Sequence, residues 1–173
     1  MGNIIFHDEG LGTYFAHYLE ANYEIPENLT IVDGGLLGFS LMGYYQEYDK
    51  IIVVGTNSKE GEAGTISRYS GEEMMAMGST RQTANEVELT MMLEICSFHE
   101  AMGEVELVTM IPEDIVEVRN GLTDTILERM PDLLSATLQA LAEEDIVLKP
   151  KESTLSFASV IEACANPVTQ RVV

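Results

Sequence analysis

Apolar residues along the chain fall into two periodicities. Residues 29–32, 51–54 and 105–111 are short runs rich in Leu, Ile and Val. Such runs suit strands buried on both faces of a parallel sheet. Residues 65–69 alternate more strictly and read as an edge strand. Helical spacing fills the intervals. Leu11, Phe15, Tyr18 and Leu19 form one stripe, Leu36, Phe39, Leu41 and Met42 a second, and Val87, Met91, Met92, Ile95 and Phe98 a third. A fourth helix is expected from Thr123, a good N-cap after Gly121, to about residue 145, with Pro131 kinking it or starting a new turn. Strands alternating with helices predict an α/β fold: a small, doubly wound, mostly parallel sheet with helices on both faces.

Both ends of this pattern are unusual. A doubly wound sheet commonly opens with a central strand that feeds the first glycine-containing loop. Here Met1-Gly2-Asn3 already reads as that loop, so the first strand is expected to be truncated. A sheet centre without it would leave backbone groups unpaired, at roughly 1–3 kcal/mol each. The expectation is therefore a start upstream of Met1, with insertion of Ile146-Val147-Leu148 as the alternative. At the far end, Leu155, Phe157, Val160 and Ile161 are amphipathic. The chain is thus divided into a domain over residues 1–148 and a C-terminal tail or docked helix over 149–173.

Composition narrows the classes of function. A chain of 173 residues can bury a sizeable core as one domain. Nine Lys and Arg against 29 Asp and Glu give 9 − 29 = −20, a field that repels phosphate backbones and anionic lipid. No nucleic-acid or membrane partner is expected. Cys96 and Cys164 are far apart, in neither disulfide-scaffold nor zinc-ribbon spacing, and suit a reducing compartment. With Asp8 and Glu9 where a signal peptide needs a basic start, the expected location is the cytoplasm.

Two polar clusters interrupt the apolar pattern at the carboxyl ends of expected strands, where open α/β sheets bind ligands. One is His7-Asp8-Glu9-Gly10, the other Asp33-Gly34-Gly35. Neither a phosphate-binding GxxxxGK[ST] loop nor a GxGxxG fingerprint is present, which removes NTPase and dinucleotide-dependent readings. Met74, Met75, Met77, Met91 and Met92 at helical spacing are read as core. His17 and His99 are placed away from both clusters.

Taken together, these pieces resemble the nickel–iron hydrogenase maturation endopeptidases. Gly2-Asn3-Ile4-Ile5-Phe6-His7-Asp8-Glu9-Gly10-Leu11-Gly12 is similar to the family's opening signature, and Asp33-Gly34-Gly35 to its DGG. Tyr48-Asp49-Lys50-Ile51-Ile52-Val53-Val54 with Gly64-Thr65, then Thr83-Ala84-Asn85-Glu86-Val87-Glu88-Leu89, Ile111-Pro112-Glu113 and Gly121-Leu122-Thr123 resemble later landmarks in order, over about residues 2–142. The resemblance implies an enzyme that recognises the nickel-loaded hydrogenase large-subunit precursor and removes its C-terminal peptide. It would hold no cofactor of its own, the nickel being carried by the substrate.

Carried over residue by residue, the resemblance makes Glu9 a ligand to that nickel and gives Glu9 and Asp33 catalytic roles. Asp8, Gly34 and Gly35 would hold substrate. The family's other two metal ligands fall on Gly55 and Asn85, which replace a carboxylate and an imidazole; His7 is the imidazole nearest by sequence that could compensate. The alternative reading is a catalytically silent paralogue, a binding or scaffolding module for the precursor. A further one is a diverged peptidase with another metal or none.

Overall fold

The computed structural model describes residues 1–76, 83–98 and 103–165, with the backbone alone for residues 84 and 85. Met77 and His99 lie outside the described residues. The helices are α1 (Leu11–Asn22), α2 (Met42–Glu47), α3 (Gly71–Ala76), α4 (Ala84–Ser97), α5 (Asp124–Glu143) and α6 (Phe157–Ala165). The strands are β1 (Tyr23–Glu24), β2 (Lys50–Thr56), β3 (Ile66–Ser70), β4 (Glu104–Met110) and β5 (Lys149–Pro150). The main sheet has the order β2-β4-β3. β2 runs parallel to β4 in the register Lys50↔Glu104 to Thr56↔Met110, and β3 pairs antiparallel with β4. The fold is α/β, as expected, with a mixed sheet.

Alternation along β4 builds both layers. Val105 and Leu107 pack with Leu89, Met92, Leu93 and Cys96 of α4, and Val108 and Met110 with Leu11, Phe15 and Leu19 of α1 and Ile126, Met130 and Leu133 of α5. Glu104 and Glu106 alternate with Val105 and Leu107 in the first half of β4, but from Leu107 to Met110 every residue is buried, and there only Thr109 is polar. Helix α5 is capped as expected, with the Thr123 side chain accepting from Ile126 N, and it continues through Pro131. An interior proline costs about 3 kcal/mol. Burying Ile126, Met130, Leu133 and Leu141 supplies roughly 6–12 kcal/mol, so the helix persists.

Three expectations need correction. Residues 29–32 are not a strand; they run along a cavity of about 400 Å3 whose opposite wall includes Ile51, Ile52, Val53 and Val54. Asp49 O accepts from Glu104 N, whereas Val54 O accepts from Met1 N at 2.8 Å. The backbone groups of Ile52 and Val54 therefore face the cavity rather than β4. Apolar composition alone does not make a strand; a ladder partner is also needed. Nor does Ile146-Val147-Leu148 take the central position: it lies outside any strand, with Leu148 buried in the α1–α5 layer.

The second correction concerns residues 36–42. They form a 3-10 turn, Gly38–Leu41, before α2, with Leu41 buried but Leu36 and Phe39 exposed. The third concerns α4. Its buried face is Leu89, Met92, Leu93 and Cys96, whereas Val87, Met91, Ile95 and Phe98 face outward. Met74 and Met92 are core, as expected, and Met91 is not.

The C-terminal stretch lies against α1. β5 pairs antiparallel with β1, the Phe157 ring stacks on Tyr18 with centroids 3.6 Å apart, and Val160 is buried.

Candidate active site

The first loop enters α1 through a 3-10 turn, His7–Gly10, whose four residues are all buried. Close backbone approach dictates two of its glycines. A Cβ on Gly2 would stand 2.2 Å from Glu9 O, and one on Gly12 would stand 2.1 Å from Met1 O and 2.4 Å from Val54 O. The loop is thereby pressed against the carboxyl end of β2, with Asn3 N donating to Glu9 O at 3.0 Å.

Asp33 turns the chain beside this loop. Its Oδ1 accepts from Thr13 Oγ1 at 2.9 Å and from Gly35 N at 3.0 Å, while Gly2 N donates to Gly35 O at 3.2 Å. Gly35 has φ +37, in the left-handed region that glycine adopts without penalty. His17 Nε2 lies 3.3 Å from Asp33 Oδ2. The histidine placed away from the clusters by sequence therefore stands beside one. Thr13 and His17 are one helical turn apart and both reach Asp33, a spacing of four that could have been noticed.

Gly55, near the end of β2, is buried; a Cβ there would meet Met1 O at 3.1 Å and no other described atom within 4 Å. Glu9, Asp33, Gly34, Gly35 and Gly55 thus converge on the Met1–Gly2 segment. Asn85 is the second residue of α4, and its side chain lies outside the described residues. Its neighbour Glu86 closes a capping box with Thr83, accepts from Ser58 N at 2.8 Å and pairs with the Ser58 hydroxyl. The α4 start is thereby tied to the loop after β2. Glu86 and Ser58 carried no local sequence signal for this bridge.

Asp8 occupies a different kind of place. It is fully buried; Oδ2 accepts from Glu113 N, Asp114 N and Thr123 Oγ1 at 2.9–3.0 Å, and Oδ1 from Thr123 N at 2.7 Å. Its carboxylate fastens the 113–114 turn and the start of α5 to the first loop.

His7 neighbours that same turn. Its Nδ1 is 4.0 Å from Glu117 Oε2, and His7, Asp114 and Glu117 present ligand-type atoms within 4.8 Å of one another. The Glu117 and Val116 backbone N–H groups hold the Asp114 carboxyl below the usual carboxylate range. Asp114 and Glu117 are more than a hundred positions from His7, so no local motif could have joined them.

Comparison with known proteins identifies the family. The hydrogenase maturation protease family model matches residues 13–140. The Hydrogenase 2 maturation protease of Escherichia coli (strain K12) is 30% identical over 155 residues, 88% of this chain and 94% of that protein. A hydrogenase expression/formation protein, HupD of Bradyrhizobium diazoefficiens, is 24% identical over 160 residues, covering 90% of this chain and 82% of its own. The solved structure of the hydrogenase maturating endopeptidase HybD from E. coli superposes with a TM-score of 0.80 at 30% identity, over 87% of this chain and 93% of that one. Fold, loop architecture and sequence together define a maturation endopeptidase class. The chain belongs to the hydrogenase maturation protease family.

Proposed function

We propose that this protein removes a C-terminal peptide from the nickel-loaded precursor of a hydrogenase large subunit, with the substrate's nickel as the metal at the cleavage site. The observation that carries the reading is the buried Glu9, set in the first loop where that loop meets the Asp33 turn and the bare Gly55. In this reading Glu9 is the ligand offered to the nickel. Carboxylates suit a borderline divalent ion, and a bound ion polarises a carbonyl or activates water. In the same reading Asp33, held by Thr13 and Gly35 and paired with His17, takes a proton from attacking water. Gly35 leaves room for substrate backbone beside it while Gly34 packs against Met1 and Leu41, and Asp8 acts by holding the loop that carries Glu9. The two free cysteines fit a cytoplasmic location. No helix among the described residues is long and apolar enough to cross a membrane.

With Gly55 and Asn85 in place of ligands, productive binding leans on contacts away from the metal. An apolar face is available for them. Leu36, Leu37 and Phe39 follow the Asp33 turn and are exposed, as are Val87, Met91 and Ile95 on α4. Gly38 lies against Glu88, a Cβ there falling 2.1 Å from Glu88 Oε2, so the two segments adjoin. Exposed apolar patches rimmed by polar residues mark protein–protein contacts. Met91→Glu or Ile95→Glu is expected to raise the KM for precursor about 10-fold or more, equivalent to roughly 1.4 kcal/mol, with the melting temperature nearly unchanged. Unaltered KM in both variants would remove this face from the reading.

The direct test is purified nickel-loaded precursor mixed with the protein and followed by intact mass. The expected result is loss of one discrete C-terminal peptide, abolished by Glu9→Gln. Binding without cleavage would mark a silent recognition module instead.

A further inference from the structure

We propose that His7, Asp114 and Glu117 form a binding site for one divalent transition-metal ion of the zinc or cobalt kind, separate from the Glu9 site. The three side chains come from the first loop and the 113–119 segment, and their candidate donor atoms lie within 4.8 Å of one another. An acidic pair near a histidine is common on protein surfaces and would not suffice. The decisive feature is His7 itself. Its side chain is 7% exposed, and Nδ1 is buried with no hydrogen-bond partner.

Buried ring nitrogens ordinarily find a donor or acceptor. Nδ1 faces Glu117 Oε2 at 4.0 Å, too far for a hydrogen bond but close to the separation of two donors sharing one ion. With metal–donor bonds of about 2.0–2.2 Å, such donors sit roughly 3–4 Å apart. Glu117 is exposed and free to rotate the remaining distance.

The frame around these groups is already fixed. His7 N donates to Arg119 O at 2.9 Å, Asp8 N to Asp114 O at 3.0 Å, and the Asp8 carboxylate clamps Glu113 N and Asp114 N. Asp114 Oδ1 is engaged by Val116 N and Glu117 N, at 2.8 and 3.0 Å, which orients the carboxylate. Oδ2 accepts no hydrogen bond among the described residues and is the oxygen available to an ion. Ligands oriented in this way lose little freedom on binding.

The donor set selects the ion. One imidazole with two carboxylates suits zinc, cobalt or nickel, whereas magnesium and calcium prefer all-oxygen sites. The net charge of −20 concentrates cations at the surface. A bound ion would pin the 113–119 segment to the turn carrying Asp8 and Glu9. The site is independent of the processing reading, since it requires no precursor.

Calorimetry on the full chain with zinc chloride, without precursor, tests the proposal, with cobalt as a spectroscopic probe. One ion per chain at micromolar affinity is expected, with no comparable heat from magnesium. Glu117→Gln, on an exposed side chain, and Asp114→Asn, which keeps Oδ1, should each weaken zinc about 10-fold or more. His7→Asn should abolish it; asparagine tolerates the positive φ of 45 at this position. Glu9→Gln should leave it unchanged, and zinc should raise the melting temperature of the native protein but not of His7→Asn. No stoichiometric zinc binding, binding that survives all three cluster variants, or binding lost in Glu9→Gln would overturn the assignment.

Discussion

Asp8→Ala is expected to lower the unfolding free energy by about 3–5 kcal/mol, the largest stability effect of any single polar change considered. The carboxylate accepts four hydrogen bonds in a fully buried position, from Glu113 N, Asp114 N, Thr123 N and Thr123 Oγ1. Bonds to a charged group contribute roughly 1.5–3 kcal/mol each, and their loss strands buried donors. The damage also reaches α5, because the Thr123 hydroxyl that donates to Asp8 accepts from Ile126 N at the helix start. Asp8→Asn keeps one acceptor oxygen but turns an amine toward backbone N–H groups, so it should fall between the two. Urea unfolding measures both. A loss below about 1 kcal/mol for Asp8→Ala would mean that water replaces the carboxylate, contrary to its burial.

Gly55→Asp and Asn85→His together are expected to create tight nickel binding where each alone does little. Chelation requires several donors at once, so the gain should be strongly non-additive, about 100-fold or more over either single change. The structure leaves room at the first position. Gly55 has no positive φ, and a Cβ there meets only Met1 O, at a tight 3.1 Å that requires the Met1 backbone to give by a few tenths of an ångström. The second position lies in the first turn of α4, tied to the loop after β2 through Glu86 and Ser58. Titration should be done with His7→Asn also present, so that nickel at the His7 cluster does not contribute. Affinities that merely add, or a double variant no better than its parent, would mean that Glu9, residue 55 and residue 85 do not face one ion.

The layers of the fold could be read from periodicity because burial on both faces leaves a strong signature. Residues 51–54 of β2 are an unbroken apolar run, β4 is buried from Leu107 to Met110, and α1 carries Leu11, Phe15 and Leu19 at spacings of four, all buried. The inner face of α4 could not be read in the same way. Both of its faces are apolar, with Leu89, Met92, Leu93 and Cys96 inside and Val87, Met91 and Ile95 outside. Period alone cannot choose between two apolar faces; contact with Val105 and Leu107 of β4 does. Residues 29–32 have strand composition but run along a cavity, a fact of neighbours rather than of propensity.

At the site, Glu9, Asp33 and the Gly34-Gly35 turn were visible because short motifs place them at strand ends. Their mutual contacts were not. The bonds from Thr13 to Asp33 and from Gly2 N to Gly35 O join residues 20 or more positions apart. The neighbours of His7 are a stronger case. They cannot be found within the first loop, since Asp114 and Glu117 approach His7 from the other end of the domain. His17 lies on α1, and its one-turn separation from Thr13 places both on the face toward Asp33.

The central claim is that this chain, with Glu9 as the surviving ligand, completes a hydrogenase large subunit by proteolysis. Its most direct measurement is the intact mass of the large subunit purified from cells lacking the protein, then complemented with the native chain or with Glu9→Gln. The account predicts an extended, nickel-containing large subunit without the protein, a shorter one with the native chain, and the extended form again with Glu9→Gln. A large subunit of the shorter mass in cells lacking the protein, or full shortening by Glu9→Gln, would contradict it.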